Sequence, residues 1–271
     1  GWRPALALAV AGSVMRAAVA YTLEGLKKAH HSVGMKLSVE EEDDGVILTG
    51  LIEEHLRLNP VPGGAEELWR ATTNIFHYAD YTIVHYACLL DRDRHLRILL
   101  DAGAPVNAET GSGVKPMHAA ARAGSVRSAK LLMERGASCC EAMDEKTVRN
   151  NDARSGGLHG LTPAHLAAQE GKVEFLRMLQ ELPGPARESL RARDEFGKVP
   201  LHYAVNKARQ PAVLFLTFEV GWGDVTLDEL RGALRNGDDK TLALIEQLAD
   251  PGSKGFHKAR MAYEKKLGAE L

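Results

Sequence analysis

The sequence predicts an all-α fold, a solenoid of stacked helix pairs with degenerate caps at its ends. Two observations carry that prediction. A short phrase built around a histidine recurs in phase: Thr82-Ile83-Val84-His85-Tyr86-Ala87, Lys115-Pro116-Met117-His118-Ala119-Ala120-Ala121, Thr162-Pro163-Ala164-His165-Leu166-Ala167-Ala168 and Val199-Pro200-Leu201-His202-Tyr203-Ala204. After each phrase comes an apolar stripe at helical spacing: Leu96, Leu99 and Leu100; Val126, Leu131 and Leu132; Val173, Leu176 and Leu179; Val213 and Leu216. Repetition at a fixed period of this size is the mark of an array in which each unit buries its apolar face against the next.

The first helix of each pair is defined by chemistry at its start. Lys or Thr before Pro ends the preceding turn, and Pro fixes φ at a helical position whose N–H has no partner to lose. His118 follows His85 by 33 residues, and Gly-Ala pairs at 103–104 and 136–137 each lie eighteen residues after their histidine. Those glycines read as left-handed caps that end the second helices. Period and phrase resemble the ankyrin repeat, a turn followed by two antiparallel helices. The resemblance covers residues 76–250, about two thirds of the chain, and implies about four repeats. It implies that His85, His118, His165 and His202 hold neighbouring turns together as framework residues, and that the small residues after them let first helices approach closely.

The spacing also locates departures. From His118 to His165 is 47 residues, so 14 extra residues form a long finger insertion, read as the polar stretch from Glu141 to Gly157. From His165 to His202 is 37, and Leu182-Pro183-Gly184-Pro185 stands where a Gly-Ala pair belongs. A fifth, degenerate unit runs through Leu230 to Leu248, with Arg231 in place of the histidine. Terminal units are expected to be atypical because one face meets water.

Outside the array, residues 1–34 carry a hydrophobic helix, residues 35–75 a linker with a helical cap, and residues 251–271 an amphipathic C-terminal helix with Phe256, Ala259, Tyr263 and Leu267 on one face. The acidic run Glu40 to Asp44 reads as a solvated linker, and Asp91 to Arg94 as a solvated turn. Residues 4–23 hold one charge, Arg16, over twenty residues, the length that spans a bilayer. Ala5, Ala9, Ser13 and Ala17 lie four apart as a small-residue stripe, with Leu8 beside it, so this is read as an assembly helix. A membrane, a protein partner and the solenoid itself are three surfaces it suits.

With a net charge of −2 and 45% hydrophobic residues, the chain can bury a continuous core and gives no electrostatic support for nucleic-acid binding. Three cysteines, two of them adjacent, fit a reducing, intracellular compartment, an organellar one included. Gly111-Ser112-Gly113 lacks the context of a dinucleotide loop, no phosphate loop occurs, and no zinc spacing survives, so no cofactor, metal or catalytic constellation is expected.

In the ankyrin family, turn tips and the exposed edge of the first helices meet ligands along a concave groove. Carried over, those positions are Tyr78, Tyr81, Leu89 and Leu90; Ser112, Val114 and Arg122; Leu158, His159, Leu161, Gln169 and Glu170; Glu195, Phe196, Lys198, Asn206 and Lys207. Their apolar and aromatic content implies a protein partner. The function expected is a non-enzymatic interaction module, an accessory or scaffold subunit of a larger, membrane-associated assembly. Two alternatives stay open: a soluble adaptor that binds a partner transiently in its groove, and the regulatory part of a longer enzyme, since the chain begins with Gly1 and not Met.

Overall fold

The computed structural model describes residues 81–143, 160–234 and 238–270. The hydrophobic segment 4–23 with Ala5, Leu8, Ala9, Ser13 and Ala17, the cap in 35–75, and the positions Tyr78, Leu158 and His159 lie outside the described residues. Among the described residues every regular element is helical: α1 Ile83–Leu89, α2 Asp93–Asp101, α3 Pro116–Ala123, α4 Val126–Glu134, α5 Pro163–Glu170, α6 Val173–Glu181, α7 Pro185–Glu188, α8 Pro200–Asn206, α9 Gln210–Phe215, α10 Leu227–Ala233, α11 Asp239–Leu248 and α12 Lys254–Glu270.

The helices form two layers. One stacks the first helices in the order α1, α3, α5, α8 and α10; the other stacks α2, α4, α6 and α9. Pro116, Pro163 and Pro200 each stand at the first helical position behind an extended residue, as the phrase predicts. Ala119, Ala120, Ala121, Ala164, Ala167, Ala168 and Ala204 are wholly buried, which is what lets the first helices stack closely. The thicker part of the core comes from the second helices, with Leu96, Leu99, Leu132, Phe175, Leu176, Leu179 and Phe215 inaccessible. Burying such a side chain contributes about 1.5–3 kcal/mol, so the stacking surface and not helix propensity stabilises segments of this length.

Each of the four histidine-bearing first helices turns into its partner through one left-handed residue, six positions after the histidine. These residues are Asp91 (φ 51°), Gly124 (83°), Gly171 (72°) and Ala208 (53°). Glycine adopts that conformation without strain, whereas Asp91 and Ala208 do so at a cost. Asp91 recovers some of it, because its carboxylate accepts from the N–H and hydroxyl of Ser128 at 3.2 and 3.0 Å.

Two parts of the array differ from the sequence reading. The residues between His165 and His202 in excess of the period enter the short helix α7 and a 3₁₀ turn, Ser189–Arg191. In the fifth pair, Thr226 caps α10 and Glu229, not Arg231, occupies the histidine position. A Glu carboxylate three residues after the cap takes the cap's N–H at 2.9 Å, as the imidazole does elsewhere. Arg231 faces solvent and pairs with Asp228 and Glu246. Beyond it, α12 is wedged against the array through Phe256 and Tyr263, whose rings each lie 5.3 Å from Phe218.

Candidate functional site

The strongest local order outside the helices is in the turns that precede the first helices. Each is a hairpin closed by one backbone bond: Thr110 N–H to the Val114 carbonyl at 3.0 Å, Met143 to Leu161 at 3.0 Å, and Asp194 to Lys198 at 2.9 Å. The residue before each closing position is a left-handed glycine, Gly113, Gly160 or Gly197. Gly160 is confined by space as well, since a Cβ there would lie 3.1 Å from the backbone nitrogen of Glu195 in the next finger.

The long insertion falls inside one of these hairpins. Thr110 and Val114 are four apart, as are Asp194 and Lys198, whereas Met143 and Leu161 are eighteen apart. The 14 extra residues therefore fall between the two paired positions of the middle finger, and its base stays paired. That base lies slightly further along the chain than the stretch beginning at Glu141 that the spacing suggested.

Polar side chains lock the shorter fingers. Thr110 Oγ1 accepts from the N–H groups of Ser112 and Val114 at 3.3 and 3.0 Å. Asp194 Oδ1 does the same for Phe196 and Lys198, both at 2.8 Å, while Oδ2 accepts from the Tyr203 hydroxyl at 2.5 Å. Burial, and then the Asp194 carboxylate, raise the Tyr203 phenol and keep it a donor. Arg193 fixes the outer side of the same finger by pairing with Asp224 at 2.7 Å.

Histidines bind the fingers to one another. Nδ1 of His85, His118, His165 and His202 accepts from the N–H of its own cap residue at 3.1–3.2 Å. Nε2 then donates forward, from His85 to the Val114 carbonyl, from His118 to Glu141 and from His165 to Lys198, at 2.9–3.0 Å. Both nitrogens are satisfied only in the neutral ring. Burial pushes His85 down to about 4 and His118 to about 3, and lowers His165 and His202 as well. These are framework groups, unsuited to acid–base work near neutrality.

The positions expected to face a ligand divide into three sets. Tyr81, Val114 and Leu161 belong to the core, at 3%, 4% and 0% exposure, and this corrects the sequence reading. Each stands four residues before a histidine; Val114 and Leu161 also close their hairpins, and the Val114 carbonyl accepts from His85 of the preceding repeat. Leu89, Leu90, Ser112, Arg122, Gln169, Glu170, Lys198 and Asn206 are half-buried, and several have structural duties. Asn206 donates to the Ala233 carbonyl at 2.8 Å, and Glu170 and the Gln169 carbonyl hold Arg209. Glu195, Phe196 and Lys207 are exposed, and Phe196, at 58%, is a large apolar side chain presented at a finger tip.

Sequence reasoning passed over Thr110, Asp194 and Tyr203 as finger locks, although Asp194 and Thr110 share the offset of eight residues before a histidine. It also missed a groove of about 440 Å³ on the second-helix side, walled by Val173, Pro211, Leu214, Leu244, Ala259 and Tyr263. Among the described residues no group of three or more His, Cys, Asp or Glu is placed to hold a metal ion. No helix of the described residues is long and apolar enough to cross a membrane.

No protein-family model matches the chain. It is similar to Alpha-latrotoxin-Lt1a of Latrodectus tredecimguttatus, at 32% identity over 138 residues, 50% of this chain and 9% of the toxin. Over 137 residues it is 27% identical to the SMC5-SMC6 complex localization factor protein 1 of Bos taurus, 50% of this chain and 12% of that protein. With Transient receptor potential cation channel subfamily A member 1 of Homo sapiens it shares 26% identity over 123 residues, 45% of this chain and 10% of the channel. The matches thus take in about a tenth of each relative and about half of this chain.

Proposed function

We propose that this array is an ankyrin-repeat solenoid of four repeats, centred on His85, His118, His165 and His202, with degenerate caps. We infer that it works as a non-enzymatic protein-interaction module, an accessory or scaffold subunit of a larger assembly. The observation that carries the reading is the finger face. Two of its turns are fixed by side-chain hydrogen bonds at equal offsets, and one of them presents Phe196, 58% exposed, with Glu195 beside it. A rigid frame bearing an exposed aromatic is the economy of an interaction hot spot, because little conformational entropy remains to be lost on binding. A toxin, a complex localization factor and a cation channel share a stretch with this chain. That breadth supports a portable binding element and not one shared chemistry.

The assembly contact is further assigned to residues 4–23, on their length and small-residue stripe. An intracellular, reducing compartment and a membrane-bound assembly complete the reading. Native size after mild-detergent extraction, with and without an alkaline wash of the membranes, tests it. A large particle that resists the wash supports a subunit held by that segment, and Leu8→Glu with Val19→Glu should release it. Migration at the 29.4 kDa of the single chain would refute the subunit reading.

A further inference from the structure

The chain has three thiols, and the array accounts for one. Cys88 is wholly buried between helices, and burial pushes its thiol far above the ordinary range. Cys139 and Cys140 are free, half-buried and consecutive, just beyond α4 at the base of the longest finger. Both sit in one bend of the chain. Burial raises the Cys139 thiol, and the neighbouring Cys140 raises it further through charge and a side-chain hydrogen bond. On the other side Ser138 Oγ lies 3.5 Å from Cys140 Sγ and accepts the Cys140 N–H at 3.4 Å, which ties the pair to one turn.

Covalent geometry decides what such a pair can do. Consecutive Cα atoms across a trans peptide are about 3.8 Å apart, whereas relaxed disulfides span roughly 4.4–6.8 Å. A direct bond between the two sulfurs is therefore strained, and the pair favours the dithiol. One bridging atom enlarges the ring by a member and lets each sulfur keep its own direction. That atom must be soft, because thiols select soft centres, and must offer two neighbouring positions.

We propose that Cys139 and Cys140 form a chelating dithiol site for a soft, thiophilic centre, of which trivalent arsenic is the type. With an arsenoxide the two S–H bonds and the arsenic–oxygen double bond break, two As–S bonds form, and the oxygen leaves with both protons as water. No oxidation state changes and no net proton is released, so raised thiols do not oppose the reaction. The site abuts Glu141, whose carbonyl accepts from His118 and whose carboxylate pairs with Lys115, so its occupancy bears on the neck of the long finger.

The test uses the full chain with phenylarsine oxide, read by intact mass. Native protein and Cys88→Ser should each gain one equivalent of the reagent less one water. The adduct should survive excess 2-mercaptoethanol and be removed by 2,3-dimercaptopropanol. Cys139→Ser and Cys140→Ser, with helicity checked by circular dichroism, should each lose the stable adduct completely. Absence of an adduct on the native chain, or its retention in either of those single-serine variants, would overturn the proposal.

Discussion

His165 Nε2 donates to the carbonyl of Lys198 at 3.0 Å, across 33 residues of chain, while its Nδ1 accepts from the Thr162 N–H at 3.2 Å and its hydroxyl at 2.8 Å. One ring thus caps its own helix and ties it to the next finger. Removing it leaves the buried Thr162 N–H without a partner, at roughly 1–3 kcal/mol, takes from the Lys198 carbonyl one of its two donors, the Asp194 N–H being the other, and opens a cavity besides.

His165→Ala is therefore expected to lose about 3 kcal/mol of stability, measured by urea unfolding. His165→Asn separates the two duties, since its amide oxygen can take the Thr162 N–H but its side chain is too short to reach Lys198. It should recover about 1 kcal/mol, the worth of a helix cap. An Asn variant as stable as the native chain would show that the bond between repeats contributes nothing.

The same rings make stability depend on pH. The folded values of His85 and His118, about 4 and about 3, lie below the ordinary 6.5, so the unfolded chain binds protons that the folded one refuses. The contribution is complete above 6.5 and is lost as pH falls from there toward the folded values. Each such histidine removes up to about 1.4 kcal/mol per pH unit within that window. The urea midpoint should fall steeply between about pH 6.5 and about pH 4, and less steeply in His118→Gln. A midpoint constant over that range would mean that these rings titrate normally in the fold.

Ala208 occupies the left-handed position that Gly124 and Gly171 fill in other repeats, at φ 53°. A left-handed alanine costs roughly 1–2 kcal/mol, and the added freedom of glycine in the unfolded chain returns about 0.5–1 kcal/mol of that. Ala208→Gly should therefore stabilise the protein by about 0.5–1 kcal/mol, seen as a higher thermal midpoint. Asp91→Gly should not, because it also removes the acceptor for Ser128 and a partner of Arg127. Equal gains at both sites would contradict the role assigned to the Asp91 carboxylate.

The helix pairs were legible because their signals are local. Proline at the first helical position, histidine two residues later and a left-handed residue six further on each have a stereochemical cause that acts within one turn. Side-chain direction at the finger base was not legible. Val114 and Leu161 look like exposed loop residues until the hairpin closes behind them, and Tyr81 shares their offset, although an apolar residue four positions before three of the four histidines was itself a core signal. The fifth unit misled for a related reason. Aligning on a basic residue chose Arg231, whereas the position requires an acceptor for the cap N–H, and Glu229 supplies one. Asp194 as a finger lock depends on Tyr203, nine residues away, and no local pattern announces that pairing.

Two aromatic residues of the fingers should now behave in opposite ways. Tyr81 is 3% exposed, with its ring 5.0 Å from that of His85 and 5.8 Å from that of Tyr86, whereas Phe196 is 58% exposed at a tip. Tyr81→Ala should cost about 3–5 kcal/mol of stability, as large-to-small core changes do, and weaken partner association only through unfolding. Phe196→Ala should leave the urea midpoint within about 0.5 kcal/mol and weaken association with copurifying subunits about tenfold or more, the scale of an interface anchor. Since Asp194 fixes the backbone of that finger through the Phe196 and Lys198 N–H groups, Asp194→Ala should lower both stability and association. Unchanged association in Phe196→Ala, with the fold intact, would remove this finger from the binding surface.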